Sequence, residues 1–377
     1  MKSLPSHWLA GLAAFAFIPA LSLLAADESF YLGTYTKPGG SQGIYHFSLN
    51  TETGAVTGGE LAATTANPTF LAIRPDGKYL YAANEVSQGA ASAFAIKANG
   101  GLEFLNRQSV RGDGPAHIWA DAAGKNVLFA NYGSGSVGVL PIKADGSLAE
   151  VAGYDQHTGS SVDPNRQKEP HAHSIYTDAA DRFAYVCDLG VDKVYIYKYD
   201  SAKGGLAASE PAFATVPPGS GPRHLAFHPK GYAYVINEMK NTISAFKYNA
   251  AKGTLEPLQN ISTLPADFNG NSSTAEIFIH PNGKFLYGSN RGHDSLALFT
   301  IDQASGQLTA AGHTKTGGKG PRHFAIDPTG KFLIAENQQT DDFFVFRIDE
   351  ATGALTQVGD AYKVGAPVCI VFAPPAK

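Results

Sequence analysis

Apolar residues in this chain fall in short runs rather than long stripes. Tyr79-Leu80-Tyr81-Ala82-Ala83, Ser92-Ala93-Phe94-Ala95-Ile96 and Val194-Tyr195-Ile196-Tyr197-Lys198-Tyr199 are examples. Such runs, rich in aromatic and β-branched residues and bounded by Gly, Pro, Asn and Asp, predict β-strands. The first is apolar on both faces, as expected of a strand sandwiched between neighbours. No amphipathic helical period occurs outside the N-terminal segment.

The runs are punctuated at a fixed period. A turn of the Pro-x-Gly type recurs at Arg74-Pro75-Asp76-Gly77, Asp121-Ala122-Ala123-Gly124, Asp178-Ala179-Ala180-Asp181, His228-Pro229-Lys230-Gly231, His280-Pro281-Asn282-Gly283 and Asp327-Pro328-Thr329-Gly330. The intervals between their last residues are 47, 57, 50, 52 and 47. Proline presets the first turn residue and glycine accepts positive φ, so each turn closes a hairpin. A second mark, a glycine followed closely by a small residue in most cases and usually by Leu, appears seven times: Gly54, Gly100, Gly146, Gly204, Gly253, Gly306 and Gly353. Six hairpins and seven outer turns agree if one unit is divided between the chain ends. Its first strand is then Pro367-Val368-Cys369-Ile370-Val371-Phe372 and its second contains Phe30-Tyr31-Leu32-Gly33-Thr34-Tyr35. The expected fold is all-β: a seven-bladed β-propeller, four strands to a blade, closed by pairing the N- and C-terminal strands.

Composition narrows the classes. Charged residues make up 16 % and hydrophobic ones 44 %, enough apolar material for a packed core and too little charge for a disordered chain. The net charge of -4 and the absence of a long basic run argue against a nucleic-acid partner. Lys2, the apolar run from Trp8 to Leu24 and the exit Ala25-Ala26 describe a secretory signal peptide. The expected organisation is therefore a signal peptide over 1–26 and a single propeller domain over 27–377. The mature protein is expected to be exported, periplasmic or extracellular, without a membrane span and monomeric. Cys187 and Cys369 fall on distant parts of the ring, so two inert buried thiols are expected rather than a disulfide.

Propeller geometry says where chemistry can gather. In each blade the start of the first strand and the end of the second lie on the face opposite the Pro-x-Gly turn. Aligning the blades by that turn puts His173, Arg223 and Arg322 at first-strand entries, and Glu238 and Arg291 at second-strand exits. Glu85 is an outlier on another blade. Two insertions, 155–170 and 264–274, fall on the same face, where long loops commonly shape a site. A concave mouth lined this way suits a small anionic molecule. Guanidinium groups grip carboxylate or phosphate through bidentate bonds, and His173 and Glu238 are placed to move protons. His171, Arg322, Asn237 and Asn290 flank these groups and are expected to contact the substrate. The asparagine position recurs in most blades (Asn84, Asn131, Asn237, Asn290, Asn337), however, and reads equally as turn capping.

The same residues admit a structural reading. Glu238 and Arg291 pair across blades, Arg223 and Arg322 clamp neighbours, and His117, His224 and His323 bond nearby backbone. His171 and His173 lack the accompanying ligands of a zinc site, so no metal is expected. No nucleotide fingerprint or Gly-x-Ser-x-Gly elbow occurs, and no cofactor is expected.

Taken together, Tyr31-Leu32-Gly33-Thr34-Tyr35-Thr36, Pro170-His171-Ala172-His173-Ser174, Gly221-Pro222-Arg223-His224, Asn237-Glu238, Ser289-Asn290-Arg291-Gly292-His293-Asp294-Ser295 and Gly320-Pro321-Arg322-His323 carry a resemblance. The chain resembles the seven-bladed lactonase propeller family, which includes propeller-type 6-phosphogluconolactonase and carboxy-muconate cyclase. The resemblance implies a site of His, Arg, Glu and Arg in that order, which fall on His173, Arg223, Glu238 and Arg291 as catalytic residues. It implies hydrolysis of a sugar lactone, 6-phosphogluconolactonase-like, without metal or cofactor. The export signal points away from a phosphorylated substrate and toward an unphosphorylated aldonolactone or another acidic lactone. The competing expectations are a cycloisomerase of the carboxy-muconate type and a non-catalytic ligand-binding propeller.

Overall fold

The computed structural model describes residues 27–374. The expected signal peptide at 1–26 lies outside the described residues. Among these there is no helix, and 28 strands form seven four-stranded antiparallel sheets. Blade one combines Pro367–Phe372 with Asp27–Thr34, Gly43–Asn50 and Val56–Thr64, and blades two to seven follow in chain order. The closing pairs are Phe30 with Phe372, Tyr31 with Val371 and Leu32 with Ile370. The terminal strands thus supply the split unit that the turn count predicted, and closure removes the edges an open array would expose.

The core lies between blades. One apolar cluster joins Tyr81 and Ala93 of blade two to Ile118, Val127 and Phe129 of blade three. Another joins Tyr234 and Ile243 of blade five to Leu286 and Phe299 of blade six. This two-sided burial is why the second strands read as continuous apolar runs.

The recurrent outer glycine has a double cause. Gly146, Gly253, Gly306 and Gly353 all have positive φ. A Cβ on them would also strike a ring of the preceding blade, Tyr79, Phe183, Tyr232 and Phe285 respectively. The carbonyls of the same four glycines accept hydrogen bonds from Tyr81, Tyr185, Tyr234 and Tyr287 of that blade, at 2.6–3.1 Å. The second period in the sequence is therefore a blade-to-blade latch. Cys187 and Cys369 are both free and buried.

One irregularity positions the site. In six blades the first strand slips its register by a single residue against the second, at Thr69, Ala116, His173, Arg223, Arg322 and Val368. Blade six slips across Ala275 and Glu276. Bulges re-aim side chains. Here they turn the entry residue toward the channel mouth while the next residue also packs on the axis.

Removing residues 367–377 should leave the strand Asp27–Thr34 unpaired and the ring open. The expected result is loss of a single cooperative thermal transition and aggregation, measurable by circular dichroism and size-exclusion chromatography.

Candidate active site at the axial mouth

A cavity of about 180 Å³ opens on the face opposite the Pro-x-Gly turns, lined by Tyr35, Glu85, Ala116, Tyr132, Arg166, His173, Glu238, Arg291 and Arg322. These residues come from the inner two strands, or the links beside them, of all seven blades, and from the long insertion before blade four. A larger hollow of about 390 Å³ lies among turns on the other face, but its Asp178 and Arg182 pair with each other at 3.3 Å. Size alone does not locate the chemistry.

Glu238 is the hub. Arg166 Nη2 donates to its Oε1 at 2.8 Å. Arg291 Nη2 and Arg223 Nε approach its Oε2 at 2.9 and 3.2 Å. Backbone carbonyls of blade six aim two of these cations: Arg223 Nη1 donates to Ala275 O at 2.5 Å and Arg291 Nη2 to Thr274 O at 2.7 Å. Burial opposes ionisation of Glu238, which is 7 % exposed, but Arg291 and Arg223 outweigh it and hold the carboxyl at about 2. Burial, with Arg291 and Arg322 nearby, pulls Arg223 down to about 9, which leaves it charged at neutral pH.

A second cluster faces the first. Tyr35 donates to Glu85 Oε1 at 2.7 Å, and Arg322 Nη2 donates to the Tyr35 hydroxyl at 3.1 Å. Arg322 lies 3.9 Å from Glu85 Oε2, so much of its charge is left for a ligand. His173 sits between the clusters. Burial, then Arg223 and His224, lower its pKa well below the ordinary histidine value, so its imidazole is neutral at neutral pH.

His173, Glu238, Arg291 and Arg322 therefore meet around one opening, as the register predicted. Arg223 belongs to the same ion cluster but is 3 % exposed and lies beneath the lining. Three expected substrate contacts differ. His171 stacks on Tyr132, with ring centres 4.7 Å apart, and donates from Nδ1 to the Tyr132 carbonyl at 3.0 Å, so it supports the wall. Asn237 donates to Thr242 and Ser244. Asn290 donates to Thr263 O and Ser295. Both amides are fully buried and tie strand ends together, as the recurrent register allows.

Sequence reasoning passed over Tyr35, Tyr132 and Arg166. Tyr132 stood in the second-strand register but carries no charge. Arg166 lies in the insertion, which has no counterpart in other blades to align. Its loop is held by Gln167, which donates to Leu189 O at 2.8 Å, and by Asp163, which accepts from the Arg166 amide at 2.9 Å.

The family profile described as "Lactonase, 7-bladed beta-propeller" matches residues 29–372. A 6-phosphogluconolactonase of Bacillus subtilis is 41% identical over 297 residues, which cover 78% of this chain and 83% of the relative. A 6-phosphogluconolactonase of Formosa agariphila is 35% identical over 309 residues, covering 78% and 85%. Among solved structures, the periplasmic gluconolactonase of Pseudomonas aeruginosa is 34% identical with a TM-score of 0.87, over 93% of this chain and 99% of that one. A Lactobacillus plantarum protein is 35% identical with a TM-score of 0.86, over 92% and 99%. The chain belongs to the seven-bladed β-propeller lactonase family.

Glu238→Gln removes the anion that compensates three guanidinium groups. It should destabilise the fold at pH 7 by on the order of 3 kcal/mol. The folded-state pKa is depressed, so this contribution exists above the unfolded value of 4.5 and is lost as pH falls toward about 2. Denaturant unfolding of wild type and variant should differ at pH 7 and converge only as pH falls through about 2.

Proposed function

From its membership of the lactonase propeller family and the chemistry of its mouth, we propose that this protein hydrolyses a sugar lactone to the acid in the axial cavity. The observation that carries this reading is a neutral His173 sharing one small cavity with Arg291 and Arg322. A neutral imidazole can accept a proton from water; Glu238, held by three arginines near a pKa of about 2, is a poor base. His173 takes a proton from water as the water oxygen bonds to the lactone carbonyl carbon. Arg291 and Arg322 stabilise the oxyanion that forms. Collapse breaks the bond to the ring oxygen, which receives the proton from His173, and the sugar acid is released. Arg223 and Glu238 hold the arginine cluster in place from below. The guanidinium groups around His173 repel a cation, which favours a mechanism without a metal.

The cavity volume suits one monosaccharide ring. Four arginines against two glutamates leave a positive excess that matches an acidic product. The charged start and apolar run at 1–26, with the likeness to a protein named periplasmic gluconolactonase, support export and an unphosphorylated aldonolactone such as a gluconolactone as substrate.

Acid release by purified mature protein should be faster on glucono-1,5-lactone than on its 6-phosphate. His173→Asn should lower kcat by about 10²- to 10⁴-fold. Because the pKa of His173 lies well below 6.5, kcat/KM should stay level as pH falls through 6.5 and drop only well beneath it. Full activity of His173→Asn, or no hydrolysis across a panel of sugar lactones, overturns the proposal.

A further inference from the structure

Beneath the mouth lies a second layer of axial side chains, in which two hydrogen-bonded pairs, His224 with Glu276 and His323 with Glu336, adjoin each other. The Ile277 amide donates to Glu276 Oε1 at 3.0 Å, which marks that oxygen as an acceptor. His224 Nδ1, 2.8 Å from the same oxygen, is then the donor. On the far side the Ile370 amide donates to His323 Nδ1 at 3.2 Å, so His323 carries its proton on Nε2, which lies 3.5 Å from Glu276 Oε2 without a hydrogen bond to it. Glu336 Oε2, 3.0 Å from His323 Nδ1, donates in that pair. Burial raises the Glu336 carboxyl well above the ordinary range, in keeping with a protonated acid.

Burial, with Arg223 and His323 nearby, keeps His224 neutral. A neutral imidazole donating through Nδ1 has a bare Nε2. That atom is buried without a hydrogen-bond partner among the described residues. So is Nδ1 of His173, whose ring centre lies 5.1 Å from that of His224. Buried polar atoms are paired in native proteins, directly or through one ordered water. Paired directly, these two satisfy each other only if His173 carries its proton on Nδ1.

We infer that His224 and Glu276 are positioning residues for His173, fixing the tautomer that leaves Nε2 bare as the base. The inference rests on the proposed role of His173 in lactone hydrolysis. When Nε2 takes the proton from water, both ring nitrogens carry hydrogen. Nδ1 keeps its proton on the side of His224, and no proton leaves by that route. The proton on Nε2 is the one returned to the ring oxygen.

Two-bond ¹H–¹⁵N correlation spectra of protein labelled at histidine report each tautomer, with His173 assigned by its loss in His173→Asn. The expected wild-type signal is Nδ1–H. His224→Leu should move His173 toward Nε2–H and lower kcat about 10²-fold with KM nearly unchanged. An Nε2–H tautomer in wild type, or an unchanged tautomer in folded His224→Leu, overturns the inference. If His224→Leu does not fold, the wild-type spectrum decides alone. The spectrum needs no substrate, so the expected tautomer without turnover of any lactone counts against the proposed reaction and not against the positioning.

Discussion

Like charges crowded at a channel mouth repel, and this constraint governs the site. Two unit charges about 5 Å apart at an effective dielectric near 20 repel by roughly 3 kcal/mol. Arg166, Arg223 and Arg291 meet that cost through a single shared carboxylate, Glu238. The blade-six carbonyls at Thr274 and Ala275 add partial negative charge on the same side. The cations are thereby kept charged and aimed without being neutralised, which is what a preorganised anion site requires. His173 is affected in turn, because the same positive field and its burial keep it unprotonated.

The fold was legible because two short-range rules repeat at one period. Hairpin closure needs Pro and Gly at fixed places, and blade contact needs a glycine where a neighbour's ring arrives, as at Gly306 beneath Tyr232. The site was legible in part. The register selected His173, Arg223 and Arg322 because the bulge recurs at one first-strand position, and Glu238 and Arg291 because they stand at the matching second-strand exit. Asn237 and Asn290 share that regularity for a different reason, the tying of strand ends. Arg166 was invisible to register because it sits on an unrepeated loop. Glu276 was invisible because it pairs with His224 of the neighbouring blade, and Glu336 because it faces His323 on the adjacent strand of its own blade, at no spacing that recurs around the ring.

The axis is layered by charge. At the mouth, guanidinium and carboxylate groups remain ionised and reach solvent. One residue deeper, Phe70 packs against His117, His224 and His323, with ring centres 4.2–5.6 Å apart. This layer is buried and its histidines are neutral. It floors the cavity with a region of low polarisability, where the charges above are screened less than water would screen them.

Joining the first and last strands in one sheet also sets when the protein can mature. Leu32 cannot meet Ile370 until almost the whole polypeptide has been made. Contacts between chain ends are late and slow to form. A nascent chain lacking its final strand holds an unsealed array with an open edge. The axial mouth, to which all seven blades contribute side chains, is thus completed only when the last strand closes the ring.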